Sequence, residues 1–221
     1  MDDLVFLFDV DNTLLDNDRV QADLGAYLTS SYGTGARDRY FAIFEALRHE
    51  LGYADYLGAL ERYRAETLYD PRVLRMSNWL VDYPFADRLY PHALDAVRHV
   101  QQWGHAVVLS DGDAVFQPRK VQRSGIWDAF GDDVLIYIHK ERELAEVERR
   151  YPARHYVLID DKLRILAAVK GVWGERVTTV FPRQGHYATD PGILAAHPHG
   201  DLQVDRIGDV CGLERSAFGT V

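Results

Sequence analysis

Val5-Phe6-Leu7-Phe8-Asp9-Val10-Asp11-Asn12-Thr13-Leu14-Leu15 reads as a buried strand running into two carboxylates and a hydroxyl. Residues i and i+2 of an extended segment point the same way, so Asp9 and Asp11 face one pocket if the strand conformation persists. Two converging carboxylates suit a hard divalent cation, which takes oxygen ligands. They equally suit a division of labour in which one attacks and the other moves protons. A plain strand end followed by a polar turn would also use Asp and Asn.

Four more short aliphatic runs follow: Ala106 to Leu109, Val134 to Ile138, Tyr156 to Ile159 and Val177 to Val180. Their nearly unbroken apolar character is that of parallel strands covered on both faces. Amphipathic segments separate them, at Phe116 to Phe130, Glu141 to Arg150 and Lys162 to Val172. Strand alternating with helix predicts an α/β fold with a Rossmann-like parallel sheet. From Asp16 to about Tyr90 this rhythm breaks, and the chain reads as three or four helices without a strand. Tyr40, Ile43, Phe44, Leu47 and Leu51 recur there at helical spacing, as the packed interior of a helical unit would. A detour of this length far exceeds ordinary connections. The expected division is a core of residues 1–15 and 89–221, interrupted by an all-helical cap at 16–88.

Bulk properties narrow the function. The 221 residues are 47% hydrophobic and 27% charged, with a formal net charge of −9, as expected of a globular protein with a substantial core. This balance lacks the clustered Lys and Arg of a nucleic-acid footprint. It still permits an anionic substrate, because a metal and a few local cations can reverse the sign inside one pocket. Cys211 is the only cysteine, so no internal disulfide forms, and no secretory signal or membrane-spanning run is visible. A cytoplasmic protein with neither nucleic-acid nor membrane partners is the expectation; oligomeric state is unreadable.

Ligand sites of open α/β sheets lie beyond the carboxyl ends of the strands. Asp9 and Asp11 end the first strand, and Ser110, Asp111 and Asp113 follow the second. His139 and Lys140 follow the third, and Asp160 and Asp161 the fourth. Four polar clusters at one sheet edge make a site the better reading. Carboxylates from two strand ends can hold Mg²⁺, while Ser110 and Lys140 supply a hydrogen-bond donor and a compact positive charge. Arg183, after the fifth strand, is a candidate anion contact. Lys120, in the helix after the second strand, is expected on a solvated face.

These motifs resemble those of the haloacid dehalogenase-like (HAD) hydrolase superfamily over nearly the whole chain. Asp9-Val10-Asp11-Asn12-Thr13 matches its opening Asp-x-Asp-x-Thr, and Val107-Val108-Leu109-Ser110 its second motif. Lys140 matches the third, and Tyr156-Val157-Leu158-Ile159-Asp160-Asp161 the last. Asp111-Gly112-Asp113 and the absence of a proline after Lys140 depart from many relatives. The resemblance implies a C1-type helical cap over a Mg²⁺-dependent hydrolase of a small phosphorylated metabolite. Asp9 would form an aspartyl-phosphate, and Asp11 would protonate the leaving group and then activate water. Ser110 and Lys140 would assist catalysis and, with Thr13 and Arg183, bind substrate; Thr13 would also orient the first loop. Asp9, Asp11 (through its backbone carbonyl), Asp160 or Asp161 would surround the metal. In the family's dehalogenases the position of Asp11 is not an acid, since a halide needs no proton to leave. The resemblance therefore favours a phosphate monoester hydrolase. A phosphomutase and a catalytically silent phosphate-ligand binder are the alternatives.

Overall fold

The computed structural model describes residues 2–219. Strand β1 (Asp2–Phe8) leads into four helices, α1 (Asn17–Tyr32), α2 (Thr34–Leu51), α3 (Tyr56–Glu66) and α4 (Val73–Asp82). Then come α5 (Ala93–Val100), β2 (His105–Asp111), α6 (Phe116–Arg123), α7 (Ile126–Phe130), β3 (Val134–Tyr137), α8 (Leu144–Arg150) and β4 (Ala153–Ile159). The chain closes with α9 (Leu163–Trp173), β5 (Val177–Pro182), α10 (Pro191–Ala196) and β6 (Leu202–Val204). The strands form one parallel sheet in the order β3-β2-β1-β4-β5-β6. This is the expected α/β, Rossmann-like core. β6 was not anticipated, because three residues carry no readable alternation.

The unbroken apolar runs have a direct cause in the layering. Leu4, Phe6 and Phe8 point to one face of the sheet and join Ala96, Val97, Phe116 and the buried side chains of α1–α4. Val5 and Leu7 point to the other face and join Leu144, Leu163, Leu166 and Trp173. Period-2 alternation thus feeds two separate cores, so every residue of the strand must be apolar. Burying each such side chain stabilises the fold by roughly 1.5–3 kcal/mol before the entropy of ordering is subtracted.

Register then sets the site. Phe8 pairs with Val108 on one side and Ile159 on the other, so β1, β2 and β4 deliver Asp9, Ser110 and Asp160 to the same edge. The aromatic stripe of α2 is packing material, as expected. Tyr40 and Phe44 are buried, and Phe44 stacks on Tyr56, which meets Phe116 of α6 at a centroid distance of 4.9 Å. This aromatic column ties α2 and α3 to the core. At the turn after α2, Gly52 has a φ of +81°, and a Cβ there would stand 2.8 Å from Cε1 of His139. Only glycine fits both the backbone and the contact. No helix of the described residues is long and apolar enough to cross a membrane.

Candidate active site

Asp9, Asp160 and Asp161 converge, with one carboxylate oxygen from each lying within 4.8 Å of the others, and all three are buried. Lys140 stands among them. Its ammonium is 2.6 Å from Asp9 Oδ1, 2.6 Å from Asp160 Oδ2 and 3.0 Å from the Leu109 carbonyl. Lys140 therefore holds the acids together, donating to Asp9 and to the Leu109 carbonyl. The Asp160 contact is a close ion pair rather than a well-aligned hydrogen bond.

The three acids are not equivalent. Burial raises the Asp9 carboxyl, but Lys140 and Lys162 outweigh it and hold it below the usual carboxylate range. Burial pushes Asp160 up to about 6 against the pull of Lys140. Asp161 is pushed well above its ordinary value, first by burial, with only partial relief from Lys162. Among the described residues, both carboxylate oxygens of Asp161, and Oδ2 of Asp9, are buried without a hydrogen-bond partner. Such groups are costly unless something satisfies them, and a divalent cation with oxygen ligands fits. Of the last pair, Asp160 is engaged by Lys140 and by the Lys162 backbone N–H, which leaves Asp161 the freer carboxylate.

Asp11 stands outside this cluster, so its carboxylate is not one of the grouped ligands. Its Oδ1 accepts from Lys120 Nζ at 2.7 Å, and Lys120 also donates to Asn17 Oδ1 at 3.0 Å. Lys120 is wholly buried, which corrects the expectation of a solvated lysine. Phe116, Gln117, Lys120 and Val121 form one buried stripe of α6, and that stripe was the available signal. Asn17 Nδ2 donates to the Tyr56 hydroxyl at 3.2 Å, so hydrogen bonds run from α3 through α1 to Asp11.

The remaining predicted residues separate into brace and site. Thr13 is buried and its Oγ1 accepts the Asp161 N–H at 3.1 Å, which ties the first loop to the end of β4. Ser110 accepts from Gln117 Nε2 at 3.1 Å and lies 3.4 Å from Asp9 Oδ1. Asp111 accepts the Lys140 backbone N–H at 2.8 Å, while burial raises its carboxyl. Asp113 accepts from the N–H groups of Val115 and Phe116 at the start of α6. Arg183 does not reach the site. Its side chain is 55% exposed and paired with Asp205, which bids for it before any ligand does. The same loop contributes His186 instead, whose Nδ1 lies 2.6 Å from Asp18 Oδ1 at the start of α1.

A cavity of about 800 Å³ opens over Asp11 between the sheet edge and the helices. Phe44 and Tyr56 wall it from α2 and α3, Tyr53 from the turn between them, Lys162 and Tyr187 from the segments after β4 and β5, and His197 from the end of α10. Lys162 escaped the sequence reading although it directly follows Asp161. Burial opposes its charge, but Asp9, Asp161 and Asp160 more than compensate and keep it well above the ordinary lysine range.

A model of the haloacid dehalogenase-like hydrolase family matches residues 4–172. Among solved structures, a protein of Burkholderia xenovorans LB400 described as a haloacid dehalogenase-like hydrolase is 61% identical, with a TM-score of 0.93 over 97% of this chain and 100% of that one. Two more distant structures share the fold. The HAD-hydrolase YfnB of Bacillus subtilis, bound to magnesium, is 16% identical, with a TM-score of 0.61 over 95% of this chain and 97% of its own. L-2-haloacid dehalogenase of Xanthobacter autotrophicus is 19% identical, with a TM-score of 0.61 over 96% and 98%. No curated protein matches.

Proposed function

The chain belongs to the haloacid dehalogenase-like hydrolase family, and on that footing we propose that it hydrolyses a small phosphate monoester through an aspartyl-phosphate on Asp9. One observation carries the choice of phosphate over halide: Asp11 lines the cavity two residues after Asp9. An alkoxide leaving group needs a proton donor at that point, whereas a halide needs none. The dehalogenases of similar architecture are too distant in sequence to argue more than the fold.

In this reading the unpartnered Asp9 Oδ2 attacks phosphorus, and the bond to the leaving oxygen breaks with its electron pair. Lys140 keeps Asp9 ionised and fixed in direction. Asp11 protonates the departing oxygen and afterwards takes a proton from the water that cleaves the acyl phosphate. Ser110, supported by Gln117, donates to the transferring group. A divalent cation held by Asp9, Asp161 and the Asp11 backbone, for which Mg²⁺ is proposed, would neutralise phosphate charge and polarise the phosphorus. Residues 16–88 act as the cap, and their closure over the cavity excludes water during transfer.

Phosphate release from p-nitrophenyl phosphate, with and without Mg²⁺, tests this in the parent and in Asp9→Asn. Release that needs both the cation and Asp9 supports the reading; full activity in Asp9→Asn contradicts it. A phosphoryl group returned to a sugar phosphate rather than to water would make the protein a phosphomutase. Retention of phosphate ligands without turnover would make it a binder.

A further inference from the structure

The cationic side chains of the cavity are mostly spoken for. Arg48 pairs with Glu45 at 3.0 Å, Arg164 with Glu141 at 2.9 Å and His186 with Asp18 at 2.6 Å. Lys140 is surrounded by Asp9, Asp160 and the Leu109 carbonyl. Lys162 differs from all of these. Among the described residues its ammonium makes no hydrogen bond and no ion pair, and stands 5.9 Å from the Tyr187 ring centroid. A lysine held at the wall of a cavity without an acceptor is placed to meet an anion from solution. In a chain of net charge −9 that attraction must be local, since the overall charge opposes it.

Lys162 is near enough to Asp9 to feel its charge, but it lies on the opposite side of Asp9 from Ser110 and Lys140. The sheet order puts Ser110 and Lys140, from the ends of β2 and β3, on one side of Asp9. Lys162 and Tyr187 follow β4 and β5 on the other side. The cavity continues past Lys162 to Ile193 and His197, and its volume of about 800 Å³ is far larger than one phosphoryl group needs. We propose that Lys162 forms a second anion subsite, so that the substrate is a phosphate monoester carrying a further anionic group, a carboxylate or a second phosphate, on its leaving-group portion. This rests on the phosphate monoester reading given above.

Binding to Asp9→Asn protein in Mg²⁺, measured by titration calorimetry, tests the subsite without requiring turnover. The probes are 2-phosphoglycolate for a carboxylate, 1,3-propanediol bisphosphate for a second phosphate, and ethyl phosphate as the counterpart without a second anionic group. The expected result is that at least one probe with two anionic groups binds about tenfold more tightly than ethyl phosphate. That preference should collapse to below about twofold with Lys162→Met added, and should be partly kept with Lys162→Arg. The probe whose affinity falls further identifies the second group. A preference unaltered by Lys162→Met overturns the proposal, as does no preference at all before that substitution. Equal losses for all three probes also overturn it, because they would put Lys162 at the transferring phosphoryl group. The two readings fail separately. A Lys162-dependent preference in a protein whose parent form releases no phosphate keeps the subsite and rejects hydrolysis. Phosphate release without the preference does the reverse.

Discussion

Lys120 Nζ donates to Asp11 Oδ1 across 2.7 Å, and the lysine side chain is wholly buried while that of Asp11 is 19% exposed. The two partners therefore depend on one another unequally. With Lys120→Met, Asp11 is left beside the water of the cavity, and the loss should be about 1–2 kcal/mol. With Asp11→Asn, Lys120 keeps a charge in the interior with only neutral acceptors, and the loss should be about 3 kcal/mol. Urea unfolding of the two variants checks the order. The reverse order would mean that the lysine is not confined as described.

The proposed acid role of Asp11 has a separate signature in the chemistry. Asp11→Asn should slow alkyl phosphates by roughly 10²–10⁴-fold and slow p-nitrophenyl phosphate much less, since nitrophenolate leaves without help. A set of phosphate esters of graded leaving-group pKa, assayed at fixed pH, reads this as a steeper dependence in the variant. An equal effect on every ester would remove Asp11 from that role.

Asp161 presents two buried oxygens without partners. A divalent cation bound there should raise thermal stability, by about 2.7 kcal/mol when its concentration is 100 times its dissociation constant. Asp161→Asn should remove most of that gain and, because burial already opposes the Asp161 charge, should cost little stability in metal-free buffer. Thermal melts in Mg²⁺ and in chelator, for both proteins, make the comparison. A full Mg²⁺ shift in Asp161→Asn would put the ion elsewhere.

Asp23 on α1 accepts from the Tyr83 hydroxyl at 2.5 Å and from Arg88 at 2.8 Å, tying the start of the helical segment to its end. Burial raises its carboxyl, but Tyr83 and Arg88 outweigh that and hold it below the ordinary value. A depressed carboxyl contributes stability above its unfolded pKa and loses it as pH falls through the folded one. Asp23→Asn should therefore cost about 1 kcal/mol at pH 7, a figure kept low because water reaches the pair. The difference from the parent should shrink as pH falls below about 4. Denaturant unfolding at pH 7 and pH 3.5 checks both the size and the sign.

The parts of this molecule that were legible in sequence are those written in local pattern. Leu4 to Phe8 is uniformly apolar because its alternate residues enter two cores, and such a run announces a central parallel strand. Asp9, Ser110, Lys140 and Asp160 could be placed at one edge because strand ends share an edge whatever their separation along the chain. What stayed hidden depends on pairing across distance. A lysine in a helix is ordinarily solvated, and only the meeting of Lys120 with Asp11 and Asn17 explains its burial. Arg183 stands after a strand as Asp160 and Ser110 stand at theirs, yet Asp205 pairs with it at the surface. Lys162 lies beside the acids in sequence, but that its ammonium lacks an acceptor among the described residues is a property of the fold alone.

In the proposed reaction Asp9 becomes covalently phosphorylated. Rapid acid quench of the Mg²⁺-loaded protein with an aryl phosphate, followed by reductive trapping of acyl phosphates and peptide mapping, tests it most directly. Modification at Asp9 is expected within one turnover, and none in Asp9→Asn. Steady phosphate release with no modified Asp9, or with the modification on another residue, would contradict it.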